Sequence, residues 1–210
     1  MKTFEEKLKR GLRDEWLLSQ WLRAKGCSVI PIAKGAYDKN GPRLYMPQID
    51  IIVPDMIVLE RDTTFWAECK GKDIFTWYRK TGSWQTGFDV HSFNEYQEIK
   101  KVSHWPVKIF FLHRSEGKPQ SKAPGPSPTG LFMAPLSMLG TSIHHTDGWG
   151  TKTLHYWDIS NLAQLTSSIE EFYGTVIRRL RDEERRGLRD VLRLISYPSP
   201  LVTKLYNSRP

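Results

Sequence analysis

The stretch from Pro54 to Lys72 constrains this chain more tightly than any other. An apolar run, Met56-Ile57-Val58-Leu59, is followed by a charged break, Glu60-Arg61-Asp62-Thr63, and then by Thr64-Phe65-Trp66-Ala67-Glu68-Cys69-Lys70. Two strand-prone runs across a gap of hairpin length predict antiparallel strands over residues 56–59 and 64–70. Successive side chains of a strand point to opposite faces, so Phe65, Ala67 and Cys69 line one face and Trp66, Glu68 and Lys70 the other. Such a hairpin carries Asp55, at the start of its first strand, to the end of its second. Two carboxylates and an ammonium then converge at one end of a sheet.

The segments before the hairpin point to a helix and a strand. Thr3 followed by Glu6 forms a capping-box signature and Gly26 provides a stop, which predicts a helix over about residues 3–25. Leu8, Leu12, Leu18 and Leu22 recur at helical spacing, with Glu15 inside their stripe and Asp14 pointing elsewhere. A carboxylate on a core-facing stripe needs a partner, either an ion pair or a metal. Residues 28–33 read as a strand. The loop from Lys34 to Pro47 interleaves Lys34, Lys39 and Arg43 with Tyr37 and Tyr45, a pattern suited to phosphates and bases. Residues 49–53 are apolar and β-branched apart from Asp50. Asp50 is the alternative to Asp55 as a site carboxylate, but it lies farther from Glu68 and within that run, so Asp55 is preferred.

After the hairpin, residues 72–87 read as a second basic and aromatic loop, carrying Lys72, Trp77, Tyr78, Arg79 and Lys80. Ser92 is the expected cap of a helix over about 93–103, with Tyr96, Ile99 and Val102 facing inward. Val107 to His113 is the clearest buried strand, and helix followed by strand implies an α/β crossover beside the hairpin. Residues 115–129 are rich in Pro, Gly, Ser and Lys and read as a loop excursion, with apolar structure resuming at 130–133. Residues 138–152 also read as loop, with His144-His145 a flexible surface pair, and 154–159 as a last strand. A long helical region is expected over about 162–195, broken near Ser167-Ser168, with mixed charges that favour a solvated, salt-bridged face.

Lys and Arg total 31 against 23 Asp and Glu, a net charge of +8, which favours polyanionic partners. Two cysteines, Cys27 and Cys69, are too few for a disulfide framework. No apolar run is long enough to span a bilayer, and the charged N-terminus has no signal-peptide core. The expected setting is cytoplasmic, with no membrane partner. No phosphate-binding glycine loop, nucleophile elbow or zinc-ligand spacing is present.

The central stretch suits metal-assisted phosphodiester chemistry. Mg²⁺ takes oxygen ligands, commonly one or two carboxylates plus waters and phosphate oxygens. Asp55 and Glu68 can supply the carboxylates and the Cys69 carbonyl a third oxygen. Glu15 can reach the metal directly or through a water, and Lys70 can hold the attacking water. Pro54-Asp55 followed by Glu68-Cys69-Lys70 resembles the signature of the PD-(D/E)xK nuclease superfamily, whose fold is restriction-endonuclease-like. The order of elements from about Thr3 to His113 is similar to that family's.

The resemblance implies an α/β fold with a central mixed β-sheet flanked by helices. The core would span residues 1–160, with a loop-rich insertion at about 115–150, and a helical extension over 161–210 would pack on it. The resemblance also implies that Asp55 and Glu68 bind Mg²⁺, for which Mn²⁺ substitutes, that Lys70 assists the water and that Glu15 fills the helical acidic position. Tyr96 and Gln97, on the helix after the lysine, are candidates to support the site. The implied activity is a Mg²⁺-dependent endonuclease acting on duplex or branched DNA, of restriction, defence or mobile-element type. A Holliday junction resolvase or repair nuclease of the same fold is the alternative. A catalytically inactive nucleic-acid-binding subunit is the reading from another class. Nothing in the sequence separates DNA from RNA, and cutting both strands would call for a homodimer.

Overall fold

Thr3 opens the first helix as its spacing to Glu6 predicts. The Thr3 hydroxyl accepts from Glu6 N at 3.2 Å while Glu6 Oε2 accepts from Thr3 N at 2.8 Å. In the computed structural model, which describes residues 3–32, 42–47, 50–115, 122–150 and 153–180, this helix, α1, spans Phe4–Ala24. Its buried stripe differs from the expected one. Leu17, Leu18, Trp21 and Leu22 are buried, whereas Leu8 and Leu12 are 41% and 47% exposed. The residue that penetrates deepest among the acids is Asp14, not Glu15.

Strands β1 (Ser28–Pro31), β2 (Arg43–Tyr45), β3 (Asp50–Ile52), β4 (Met56–Glu60) and β5 (Thr63–Lys72) follow. β4 and β5 pair antiparallel across the turn at Arg61-Asp62, with Met56 opposite Ala67 and Glu60 opposite Thr63. Arg61 takes the left-handed conformation, φ 49°, that so tight a turn requires. Beyond β5 the expected loop is instead a hairpin, β6 (Thr76–Tyr78) and β7 (Ser83–Asp89). Burial does not alternate along β7: Gln85, Thr86, Gly87 and Phe88 are all buried, and Gly82 (φ 63°) makes the turn.

Helix α2 (Val90–Ser103) starts earlier than expected because Asp89, not Ser92, caps it, its Oδ1 accepting from Ser92 N at 2.7 Å. Phe93, Tyr96 and Ile99 are its buried residues, while Val102 is 45% exposed. β8 (Val107–His113) follows over the expected residues. The later stretch read as insertion and loop contributes β9 (Gly130–Pro135), α3 (Leu136–Thr141) and β10 (His145–Asp147). β11 (Leu154–Asp158), a 3-10 turn (Ile159–Asn161), β12 (Ala163–Gln164) and α4 (Ile169–Leu180) complete the described chain. The start of the expected long helix is therefore the strand β12, paired with β9, and its part beyond residue 180 lies outside the described residues.

The main sheet has six strands in the order β1-β4-β5-β8-β9-β12. It is mixed. β5 and β8 run parallel, and the other neighbours pair antiparallel. A parallel pair needs a crossover, and the β6–β7 hairpin plus α2 provide it. A second, antiparallel sheet has the order β10-β11-β7-β6, and β2 pairs with β3 as a separate ribbon. Two apolar clusters cover the two faces of the main sheet. Phe65, Ala67 and Cys69 of β5 pack with Leu18, Trp21 and Leu22 of α1 and Phe172 and Val176 of α4. Trp66 of β5 packs toward Phe88, Tyr96, Ile99 and Trp157. The sheet is thus flanked by helices on both sides, and β5 lies at its centre. Among the described residues no helix is long and apolar enough to cross a membrane.

Candidate active site

At the open end of the hairpin the backbone and the acidic side chains of Asp55 and Glu68 hold each other. Asp55 N donates to Glu68 Oε2 at 3.2 Å, and Cys69 N donates to Asp55 Oδ2 at 2.8 Å. Both residues are nearly buried, Asp55 at 8% and Glu68 at 4% exposure. Lys70, on the same face of β5 as Glu68, places Nζ 2.6 Å from Glu68 Oε1. The ammonium also lies over the rings of Phe88 and Tyr96, at 5.5 and 5.8 Å from their centroids. The Tyr96 hydroxyl, at the buried face of α2, hydrogen-bonds Glu68. Asp50, by contrast, is exposed on the β2–β3 ribbon opposite Tyr45.

Crowding of like charges away from water sets the electrostatics. Burial, then the Glu68 and Glu15 carboxylates, push the Asp55 carboxyl well above its ordinary range, outweighing Lys70 and the Cys69 amide. Burial alone would disfavour the Lys70 ammonium, but Glu68 and Asp55 hold it above the ordinary lysine range. Burial and the same two carboxylates keep Tyr96 a neutral phenol. The Cys69 thiol, raised by burial and by Asp14 and Asp55, stays protonated. Glu15 is half-buried on α1, and its charge is felt by both Asp55 and Cys69, so the helix does face the site.

Beneath the site is an ion pair that helical periodicity did not reveal. Asp14 of α1 and Arg114, just past β8, are 2% and 5% exposed and hydrogen-bond each other. Arg114 also meets the Tyr173 hydroxyl of α4. Burial, against the pull of Arg114, leaves the Asp14 carboxyl above its usual range. β5 passes this pair at Gly71, where an added methyl carbon would intrude on the Asp14 carboxylate, 3.0 Å from its Cγ and 3.3 Å from Arg114 Nη1. Asp89 is a second missed residue. While capping α2 it places its charge near both Lys70 and Lys72.

The remaining expected contacts fare unevenly. Gln97 turns away from the site, toward α3, where a methyl at Gly140 would come within 3.2 Å of its Nε2. Trp77 and Tyr78 are not on a free loop. They sit in β6, Trp77 edge-on to Trp84 at 5.1 Å between centroids and Tyr78 stacked on His145 at 4.6 Å. His145 in turn stacks on Tyr156 at 4.7 Å, so the histidine pair read as flexible is packed on the second sheet. Arg79 and Lys80 are exposed in the β6–β7 turn, Lys72 is half-buried at the end of β5, and Arg43 is half-buried in β2. Lys34 and Lys39 lie outside the described residues.

Among the described residues no three Asp, Glu, His or Cys side chains form a ready-made metal cage. Two carboxylates do meet at the site. Buried, mutually repelling and, among the described residues, paired with the Lys70 ammonium, they have the donor chemistry of a hard divalent cation site.

The structure is similar to that of Hjc from Archaeoglobus fulgidus, a Holliday junction resolvase from an archaeal hyperthermophile, at 11% identity, covering 74% of this chain and 92% of that one with a TM-score of 0.45. It is also similar to D212, a nuclease from a fusselovirus, at 14% identity, covering 85% of this chain and 97% of that one with a TM-score of 0.35. No family model and no curated protein matches the sequence. Likenesses this distant carry no functional argument, which rests on the geometry of Asp55, Glu68 and Lys70.

Proposed function

We propose that the chain is a divalent-metal-dependent deoxyribonuclease that hydrolyses DNA phosphodiester bonds with Asp55, Glu68 and Lys70. One observation carries the reading. The buried Asp55–Glu68 pair is locked by reciprocal bonds to backbone amides at the hairpin's end, with Lys70 Nζ 2.6 Å from Glu68 on the same face. Two buried carboxylates 13 positions apart have no structural need to share a site, and their repulsion is a standing cost unless a cation joins them.

Mg²⁺, or Mn²⁺ in its place, would be held by Asp55, Glu68 and the Cys69 carbonyl, with Glu15 contributing directly or through a water. When bound, the cation polarises the phosphoryl oxygen and lowers the pKa of water. Lys70 orients the attacking water and balances charge that builds on the phosphate. The Tyr96 hydroxyl fixes the Glu68 carboxylate, so the ligand presents one orientation. The net charge of +8 suits a polyanionic substrate. A DNA endonuclease of defence or mobile-element type is the preferred activity.

Wild type, Glu68→Ala and Lys70→Ala should be compared on supercoiled plasmid, linear duplex, single strand, four-way junction and RNA, with and without Mg²⁺. Cleavage by wild type alone, abolished by chelation, is the expected outcome. Preference for the junction would select a resolvase. Salt-sensitive binding with no cutting of any substrate under Mg²⁺ or Mn²⁺ would overturn the enzyme reading in favour of an inactive nucleic-acid-binding subunit.

A further inference from the structure

Along β5 the alternation that aligns Glu68 with Lys70 continues to Lys72, so three charged side chains stand in a row on one face. Lys72 lies about 6.6 Å beyond Lys70, two residues of strand. The two lysines are held differently. Lys70 Nζ is 2.6 Å from Glu68 Oε1 and lies over the Phe88 and Tyr96 rings, which confines it to the carboxylate end of the row. Lys72 is half-buried at the end of the strand, where the charge of Asp89, the cap of α2, reaches it.

The surroundings of Lys72 are poor in counter-charge. Its partner in the parallel register of β5 and β8 is His113, stacked on Phe75 at 3.5 Å with Nε2 3.1 Å from Thr86 Oγ1. Burial, then Lys72 and Arg114, keep that imidazole neutral. Asp73, the next residue, is engaged by Arg10 of α1. There remain Lys70, which repels, and Asp89, which attracts but already accepts from Ser92 N. Burial and Lys70 outweigh Asp89 and bring the Lys72 ammonium down to about 8, whereas Glu68 and Asp55 hold Lys70 above the ordinary lysine range.

Phosphodiester hydrolysis has work for two such groups. The attacking and leaving oxygens lie on opposite sides of phosphorus, so a group placed for one is misplaced for the other. Lys70, tied to Glu68 between the carboxylates and the rings, is on the side of the water and parts reluctantly with its proton. Lys72, farther along the same face, is the proton donor matched to neutral pH.

We propose that Lys72 is the general acid of the reaction, donating a proton to the sugar oxygen that leaves phosphorus. The role rests on the nuclease reading and adds a catalytic residue to it. As the water oxygen bonds to phosphorus, the bond from phosphorus to the sugar oxygen breaks and its electron pair stays on that oxygen. A proton passes from Lys72 Nζ to the same oxygen, which departs as a hydroxyl. The proton lost by the attacking water goes to solvent, and solvent reprotonates the Lys72 amine.

The test is single-turnover cleavage in Mg²⁺ of a duplex with a mapped cut, beside the same duplex with sulfur in place of the bridging oxygen that leaves. A thiolate departs without needing a proton. On the oxygen duplex Lys72→Met and Lys72→Arg should each lower the rate about 100-fold, because arginine keeps the charge but not a transferable proton. On the sulfur duplex both should cut within about threefold of wild type. The wild-type rate on oxygen should fall as pH rises through about 8, where the acid loses its proton, and the sulfur duplex should lack that fall. A readout independent of cutting is ¹³C NMR of reductively methylated lysines in EDTA, with the Lys72 signal assigned by its absence from Lys72→Met. It should titrate well below the exposed lysines, and titration together with them would overturn the role. Wild-type cutting of the oxygen duplex by Lys72→Arg would reduce Lys72 to a charge, and equal losses on both duplexes would reduce it to binding or packing; either overturns the proposal while the nuclease reading stands. Lys72→Arg keeps the test decisive should Lys72→Met fail to fold. No cutting of either duplex by wild type in Mg²⁺ or Mn²⁺ would overturn both.

Discussion

Gly71→Ala probes the tightest glycine contact among the described residues. The backbone at Gly71 is outside the left-handed region, so an alanine meets no conformational obstacle there. The obstacle is space. The new methyl would sit within the Asp14 carboxylate, 3.0 Å from Cγ and 3.3 Å from Arg114 Nη1, both on nearly buried residues. Either α1 lifts from β5, opening the cluster that holds Leu18, Trp21 and Phe172, or Asp14 rotates off Arg114. The second route strands two buried charges, and breaking a buried pair in this way costs about 3–5 kcal/mol. Against a total stability of about 5–15 kcal/mol for a domain, that is a large fraction.

Urea unfolding followed by tryptophan fluorescence measures the loss directly. The expected result is a fall of about 3 kcal/mol or more. Asp14→Ala and Arg114→Met alone should each be similarly damaging, whereas Gly71→Ala added to the double replacement should cost far less than in wild type. That non-additivity identifies the shared site. A Gly71→Ala protein within about 0.5 kcal/mol of wild type, the range of an ordinary surface change, would refute the claim that β5 and α1 are locked here.

Three further outcomes follow from the geometry. Asp55→Asn should abolish cleavage yet stabilise the metal-free protein at neutral pH by about 1–2 kcal/mol. Because the folded pKa of Asp55 is raised, the wild-type penalty is absent below the ordinary carboxylate range and grows as pH rises through the folded value, so the gain should vanish near pH 4 in chelator. Saturating Mg²⁺, at about 100 times its Kd, should add about 2.7 kcal/mol to wild type and nothing to the variant, and equal shifts would remove Asp55 from the ligand set. Tyr96→Phe should lower kcat about tenfold by freeing the Glu68 carboxylate, with stability changed by no more than about 1.5 kcal/mol; an unchanged kcat would reduce Tyr96 to core packing. His113 is buried against Phe75, with Nε2 3.1 Å from Thr86 Oγ1, and burial, Lys72 and Arg114 push its pKa well below the ordinary value. The folded state then refuses a proton the unfolded chain accepts, so this contribution is complete above about pH 6.5 and is lost as pH falls below it; ¹⁵N spectra showing an imidazolium at His113 near pH 6 would contradict this.

The hairpin and its site were legible because their signals are local. Alternation placed Glu68 and Lys70 on one face, and the length of the break placed Asp55 beside them. The capping box and β8 were legible for the same reason. Asp14 was not, since the leucine stripe points Glu15 inward and Asp14 about 100° away from it, and only the distant Arg114 draws Asp14 into the interior. The leucines suffered in the opposite sense. Leu8 and Leu12 keep helical phase with Leu18 and Leu22, but the sheet does not reach under them. β6 and β7 read as loop in the sequence because Trp77, Tyr78 and Trp84 sit among Gly, Lys and Arg, and the rings that hold the hairpin, His145 on Tyr78 and Trp157 on Phe88, come far later in the chain. Gln97 and Tyr96 are neighbours on α2, and only the helix's rotation against β5 shows which one faces Glu68.

The position of β5 at the middle of the main sheet also bears on how the chain reaches its fold. Its partner β4 is joined to it by a tight turn, whereas its other partner, β8, arrives only after a second hairpin and a helix have been made. Loop closure makes the local pairing fast and the parallel one slow. For that interval β5 is an open edge, ten residues long and rich in Phe, Trp, Ala and Cys, the kind of strand that recruits other chains. Glu68 and Lys70 set charged side chains into that edge and make intermolecular pairing unfavourable until β8 covers it. Replacing them with apolar residues would therefore compromise solubility during synthesis as well as chemistry, and the two losses would be separable by comparing yield with the activity of the soluble fraction.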